Sequence, residues 1–158
     1  MKNCLLALTT LITIGLASCT PDACEKVTCL NDGICESGDC ACASGFEGPN
    51  CATEQRQAFV GIYSATETCN LGDFSYDITI TANSDTLTEI TLNNLGDFDF
   101  DITGLVDGTS VTFTDQTVNG STVNGDGELS NGTLTIEYTL VTTGGQTLTC
   151  SLTCLIQE

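Results

Sequence analysis

From residue 57 onward, apolar and polar positions alternate along the chain. Leu134, Ile136, Tyr138 and Leu140 interleave with Thr133, Thr135, Glu137 and Thr139. Phe98, Phe100 and Ile102 interleave with Asp97, Asp99 and Asp101. Near the end, Leu148, Cys150, Leu152, Cys154 and Ile156 share one face against Thr147, Thr149, Ser151 and Thr153. A period of two is that of a strand with one face buried and the other in water. Turn chemistry separates the runs at Asn83-Ser84-Asp85, Asn93-Asn94-Leu95-Gly96, Asp107-Gly108, Asn131-Gly132 and Gly144-Gly145. Asp-Gly and Asn-Gly between alternating runs are hairpin signals. The pattern predicts eight strands, at about residues 59–67, 74–82, 87–93, 97–106, 109–116, 121–130, 133–142 and 146–156. No helical stripe of useful length interrupts them.

Short links between all neighbours imply an antiparallel up-and-down meander. Eight such strands manage their edges by closing into a barrel or by splitting into a sandwich. The absence of a long crossover favours the barrel over residues 58–158. An eight-stranded barrel is just wide enough to be filled by its own side chains or to hold one small ligand. The large inward positions expected here, Phe98, Phe100, Phe113, Leu134 and Tyr138, point to a filled one.

The first residues read differently. A positive start at Lys2, an apolar run from Leu5 to Leu16 and small residues after it predict a secretory signal peptide over residues 1–18. The run is shorter than the roughly 20 apolar residues a bilayer span needs. Its ending, Leu16-Ala17-Ser18-Cys19, resembles a bacterial lipobox. That resemblance implies that Cys19 carries a lipid anchor, followed by a short tether over 20–23. Thr20 rather than Asp after the cysteine implies export to the outer membrane.

The chain of 158 residues has eleven cysteines, a density that belongs to an oxidising compartment. With Cys4 removed and Cys19 acylated, nine remain, an odd number. Six stand at 24, 29, 35, 40, 42 and 51, in a segment too short to fold without staples. Spacing alone allows fifteen pairings. The run Cys40-Ala-Cys42-Ala-Ser-Gly45-Phe46, with Gly48 and Cys51, closely resembles the end of an epidermal growth factor-like module. The resemblance implies Cys24–Cys35, Cys29–Cys40 and Cys42–Cys51. The module lacks the residues that mark calcium-binding members of that family. Residues 52–57 read as a short polar linker. In a closed meander the first and last strands are neighbours, so a Cys69–Cys150 disulfide would lock the seam and leave Cys154 as a buried free thiol. Cys69–Cys154 is the alternative pairing. The opening Gly61-Ile62-Tyr63 is similar to the start of lipocalin-like and related calycin barrels. The whole arrangement is similar to small Bacteroidetes surface lipoproteins that join an EGF-like module to a lipocalin-like β domain.

Charge narrows the function. There are 21 acidic and 3 basic residues, a net charge of −18, and loss of Lys2 would make the mature chain more negative still. Such a chain is repelled by nucleic acid, and its field favours cations and basic partners. Histidine is absent, which removes the usual general base near neutral pH and the commonest zinc ligand. A cysteine nucleophile would lack its activating base. No paired carboxylates are set in an evident cleft, so no catalytic residue is expected. The one weak metal candidate is Asp97, Asp99 and Asp101, which an unbroken strand would place on one face. They read better as a solvated face that blocks edge pairing. Asn119-Gly120-Ser121 and Asn131-Gly132-Thr133 match the N-glycosylation pattern but read as turns.

The expected protein is therefore non-enzymatic, without cofactor, exported and lipid-anchored at the outer membrane or surface of a Gram-negative cell. An EGF-like spacer presents a β-barrel head for contact with a protein or glycan. The alternative is a carrier of a small apolar ligand. An enzyme or inhibitor is a third and weaker reading.

Overall fold

The computed structural model describes residues 22–157. The expected signal peptide, the lipobox and Cys19 lie outside the described residues. Two small hairpins come first: β1 (Ile34–Glu36) with β2 (Asp39–Ala41), and β3 (Phe46–Glu47) with β4 (Thr53–Glu54). Disulfides Cys24–Cys35, Cys29–Cys40 and Cys42–Cys51 hold them. Gly33 shows how tight this region is. A Cβ there would stand 2.7 Å from the Cys51 sulfur.

Eight further strands follow in meander order: β5 (Gly61–Cys69), β6 (Gly72–Ala82), β7 (Glu89–Asn93), β8 (Asp101–Asp107), β9 (Ser110–Val118), β10 (Ser121–Ser130), β11 (Thr133–Val141) and β12 (Thr147–Ile156). Every consecutive pair is antiparallel. The last strand pairs with the first, from Cys150 opposite Cys69 to Ile156 opposite Tyr63, and the barrel closes. Closure rather than a sandwich removes every free edge. The seam carries the disulfide Cys69–Cys150, and Cys154 is left free and buried.

Inward residues alternate as the pattern requires. Tyr63, Ile78, Ile80, Leu92, Val111, Phe113, Ile136 and Leu152 are among those buried in one continuous core. Two inward positions carry glycine where neighbouring atoms come too close for a Cβ, backbone at one and core side chains at the other. A Cβ on Gly125 would stand 2.5 Å from the Glu137 carbonyl oxygen, and one on Gly104 2.5 Å from the Val111 side chain.

Several boundaries differ from the sequence expectation. Residues 97–100 are not strand. A 3-10 turn spans Leu95–Asp97, and β8 begins only at Asp101. Asn94, Gly96, Asp97 and Asp99 all take positive φ, which a strand forbids. Asn94 organises this turn: its amide donates to the Asp77 carbonyl, and its side-chain oxygen accepts from the Asp99 N–H. Phe98 is consequently not a core residue. It is 46% exposed and stacks on Phe100 with ring centroids 5.7 Å apart. Ile156 also leaves the core, because its strand ends at the barrel rim.

The short polar linker read over 52–57 packs against the barrel. After β4, a 3-10 turn spans Gln55–Phe59. Arg56 is buried, with its guanidinium paired to Glu54 at 2.8 Å and donating to the carbonyls of Asn83 and Thr86 in the β6–β7 loop. Gln55 accepts from the Gly108 N–H in the β8–β9 turn. Phe59, expected in the first strand, is fully buried in the barrel core. The disulfide-rich region thus sits against one end of the barrel, the end that bears the β6–β7, β8–β9 and β10–β11 turns.

Candidate functional site

The opposite end bears the β5–β6, β7–β8, β9–β10 and β11–β12 connections. A cavity of about 560 Å³ opens there. The filled barrel expected from the large inward side chains is therefore only half right. Phe59, Tyr63 and Phe113 fill the lower part, whereas the turn at 94–100 carries Phe98 out to the rim and leaves the upper part open. The walls are mainly apolar, including Phe100, Leu140 and Leu148. At the rim, Leu71, Phe74 and Phe98 are large apolar side chains left in water.

One charged group faces this cavity from within. β5 points Tyr63, Ala65, Glu67 and Cys69 inward, so Glu67 occupies an apolar register position and is 1% exposed. Burying a carboxyl is costly unless hydrogen bonds replace its water. One phenol does so. The Tyr138 hydroxyl donates to Glu67 Oε1 at 2.5 Å. The Tyr76 hydroxyl, nearby, accepts from the Gly96 N–H at 2.9 Å. Burial, with the neighbouring Glu67, pushes both phenols well above the ordinary tyrosine range. Both remain donors at any physiological pH. Gly96 is required at its position: φ is +71°, and a Cβ would stand 2.8 Å from the Tyr138 hydroxyl.

Glu67 lies close to the seam disulfide, with its oxygen and the sulfurs of Cys69 and Cys150 within 4.8 Å of one another. Both sulfurs are committed to the disulfide, so no thiolate is left to hold a metal beside the carboxylate. The other metal candidate is dispersed by the fold. Asp97 closes the 3-10 turn, Asp99 follows with positive φ, and Asp101 opens β8, where Asn93 donates to it at 2.5 Å. These three carboxylates do not form a cluster among the described residues. Cys154 is buried beside the core, and burial raises its thiol to about 12. It is inert as a nucleophile.

A wider, more open depression of about 860 Å³ lies over the outer wall near Gly125. Its outward groups are threonines and acids such as Thr112, Asp126 and Glu137. It offers no enclosure, and the inner cavity is the better candidate on chemical grounds.

Neither Glu67 nor Tyr76 stood out in the sequence. The available signal was a charged residue in the apolar register of a strand, two positions from Ala65 and from Cys69. Ending that strand at residue 67 concealed it.

No family model matches the chain, and no curated protein matches it. Among solved structures, the chain is similar to zebrafish ileal bile acid-binding protein complexed with cholic acid. The two are 16% identical, with 63% of this chain and 99% of that chain covered and a TM-score of 0.39.

Proposed function

We propose that the barrel binds a small, largely apolar molecule in its upper cavity and serves as a carrier or receptor for it rather than as an enzyme. One observation carries this reading: a cavity of about 560 Å³, walled by apolar side chains, holds at its inner end the buried Glu67 carboxyl and the Tyr138 phenol that donates to it. Ligand sites of roughly 300–1,000 Å³ with apolar walls and a few converging polar groups are the common form of small-molecule pocket. The apolar rim at Leu71, Phe74 and Phe98 gives such a ligand a path from water.

The leader-like first 18 residues and the Cys19 lipobox pattern support placing this carrier at an outer membrane by a lipid anchor. On that reading the docked disulfide region faces the membrane, and the cavity mouth opens away from it. The ligand then arrives from the surroundings rather than from the anchoring bilayer.

The test is uptake of Nile red, a neutral apolar fluorophore. The protein is expected to bind it saturably with one site and a blue-shifted emission. Leu148→Trp, which fills the cavity from its wall, is expected to weaken binding at least tenfold. Nile red binding that is absent, or unchanged in the folded variant, would remove the cavity as a site.

A further inference from the structure

Resting on that reading, we infer that the ligand's polar group is a cation: the cavity takes an apolar amine and seats its ammonium on Glu67. Four observations lead there. First, the polar atoms at the inner end of the cavity converge on a carboxylate. A carboxylate has about four lone-pair sites. Tyr138 supplies one donor, which leaves acceptor capacity for a ligand's N–H groups. Second, the Tyr138 phenol already gives its single proton to Glu67, so it has no donor left to offer an anionic ligand head.

Third, among the described residues no basic side chain lines the cavity. The whole sequence has three basic residues, Lys2, Lys26 and Arg56. Arg56 is held by Glu54 and two carbonyls at the far end of the barrel. Lys26 belongs to the disulfide-rich region before it. A carboxylate, sulfate or phosphate entering the cavity would meet Glu67 at its base and Asp97 at its rim. Like charges at close range in a poorly solvated site repel strongly. Fourth, aromatic faces line the entry. Phe74, Phe98 and Phe100 border the mouth, and aromatic rings attract ammonium groups through their quadrupoles. The net charge of −18 adds a long-range field of the same sign preference.

A neutral alcohol would also donate to Glu67, but with one proton and no charge. Either donor makes a charge-assisted bond to the carboxylate, but only the ammonium adds the attraction of opposite full charges at close range. The carboxylate is already stripped of water in the folded barrel, so only the amine has to be desolvated on binding. Preorganisation of this kind favours the charged ligand.

The experiment is displacement of Nile red from the intact protein at neutral pH by decylamine, decanol and decanoate. These share one apolar chain and differ only in the head. Decylamine is expected to bind at least tenfold more tightly than decanol, with decanoate weakest. The preference is expected to survive in about 1 M salt, where the Debye length is roughly 3 Å and surface charges are screened while buried ones are much less so. In Glu67→Gln the preference of amine over alcohol is expected to fall at least tenfold. Equal affinities for amine and alcohol, or a preference abolished by salt alone, would overturn the assignment and leave the cavity intact. A folded Glu67→Gln variant with undiminished preference would do the same. Failure of Nile red to bind at all would overturn the ligand-binding reading itself.

Discussion

The Tyr138 hydroxyl reaches Glu67 Oε1 across 2.5 Å inside the barrel, between residues 71 apart in sequence. β11 and β5 do not touch as neighbours; β12 lies between them. The bond therefore spans the curved wall of the barrel rather than one strand pair. It exists only because the sheet closes. Removing the phenol leaves a buried carboxyl with one donor fewer. Tyr138→Phe is expected to destabilise the protein by about 1–3 kcal/mol, the usual cost of a buried polar group left unsatisfied. Urea unfolding monitored by far-ultraviolet circular dichroism measures it. A change below a few tenths of a kcal/mol would mean that water replaces the hydroxyl.

The phenols also set an alkaline limit. Tyr63, Tyr76 and Tyr138, the only three tyrosines, are all pushed above the ordinary value by burial first. An unfolded tyrosine releases its proton near pH 10, while the folded one holds it. Stability is therefore complete below about pH 10 and declines as the pH rises beyond it. Absorbance at the tyrosinate band is expected to rise in one cooperative step that coincides with unfolding. Gradual ionisation of two or more tyrosines in a protein that is still folded would contradict their burial.

The seam disulfide closes a separation of 81 residues between directly paired positions on the first and last barrel strands. In the chain-entropy account a loop of that length contributes roughly 4–5 kcal/mol. Replacing both Cys69 and Cys150 by alanine is expected to lower stability by about that amount. Denaturant midpoints of the two proteins give the comparison, and a loss under about 1 kcal/mol would show that the hydrogen-bonded seam holds without its staple.

Cys154, the free thiol among the described residues, is buried and its thiol is raised to about 12. It is expected to resist iodoacetamide at pH 8 in the folded protein and to react in denaturant without reductant, adding one adduct on the peptide that carries Cys154. Mass spectrometry counts the adducts. Rapid labelling of the native protein would mean that the last strand opens readily.

Arg56 joins the disulfide-rich region to the barrel through Glu54, Asn83 and Thr86. Arg56→Ala takes a donor from the carbonyls of Asn83 and Thr86, the latter keeping the Glu89 N–H, and removes a partner of Glu54. The expected loss is about 1–3 kcal/mol, with faster amide exchange in residues 83–89. Exchange confined to the disulfide-rich region, with the barrel loop unchanged, would show that the clamp does not support the barrel.

The alternation of residues 57–157 determined by itself that this is a β protein, where seven of the eight barrel strands lie and that they follow one another as hairpins. A period of two and Gly- or Asn-containing turns are local properties, and local sequence expresses them. Closure was favoured by the short links, yet a sandwich has the same alternation, and only the pairing of β12 with β5 decides between them. The stretch at 97–100 misled for the same reason. Phe98 and Phe100 alternate with aspartates as a strand would, but Asn94 and Gly96 bend the chain through positive φ and turn Phe98 outward. The turn contributes Gly96, Asp97 and Phe98 to the lining of the cavity.

Arg56 and Glu67 show what no local pattern conveys. Each looks like an ordinary surface charge in sequence. Each is buried because partners distant in sequence supply what water would have supplied: carbonyls of the β6–β7 loop for one, and the Tyr138 phenol of β11 for the other. Burial of a charge depends on groups brought together by the closed barrel, and that juxtaposition belongs to the tertiary structure alone.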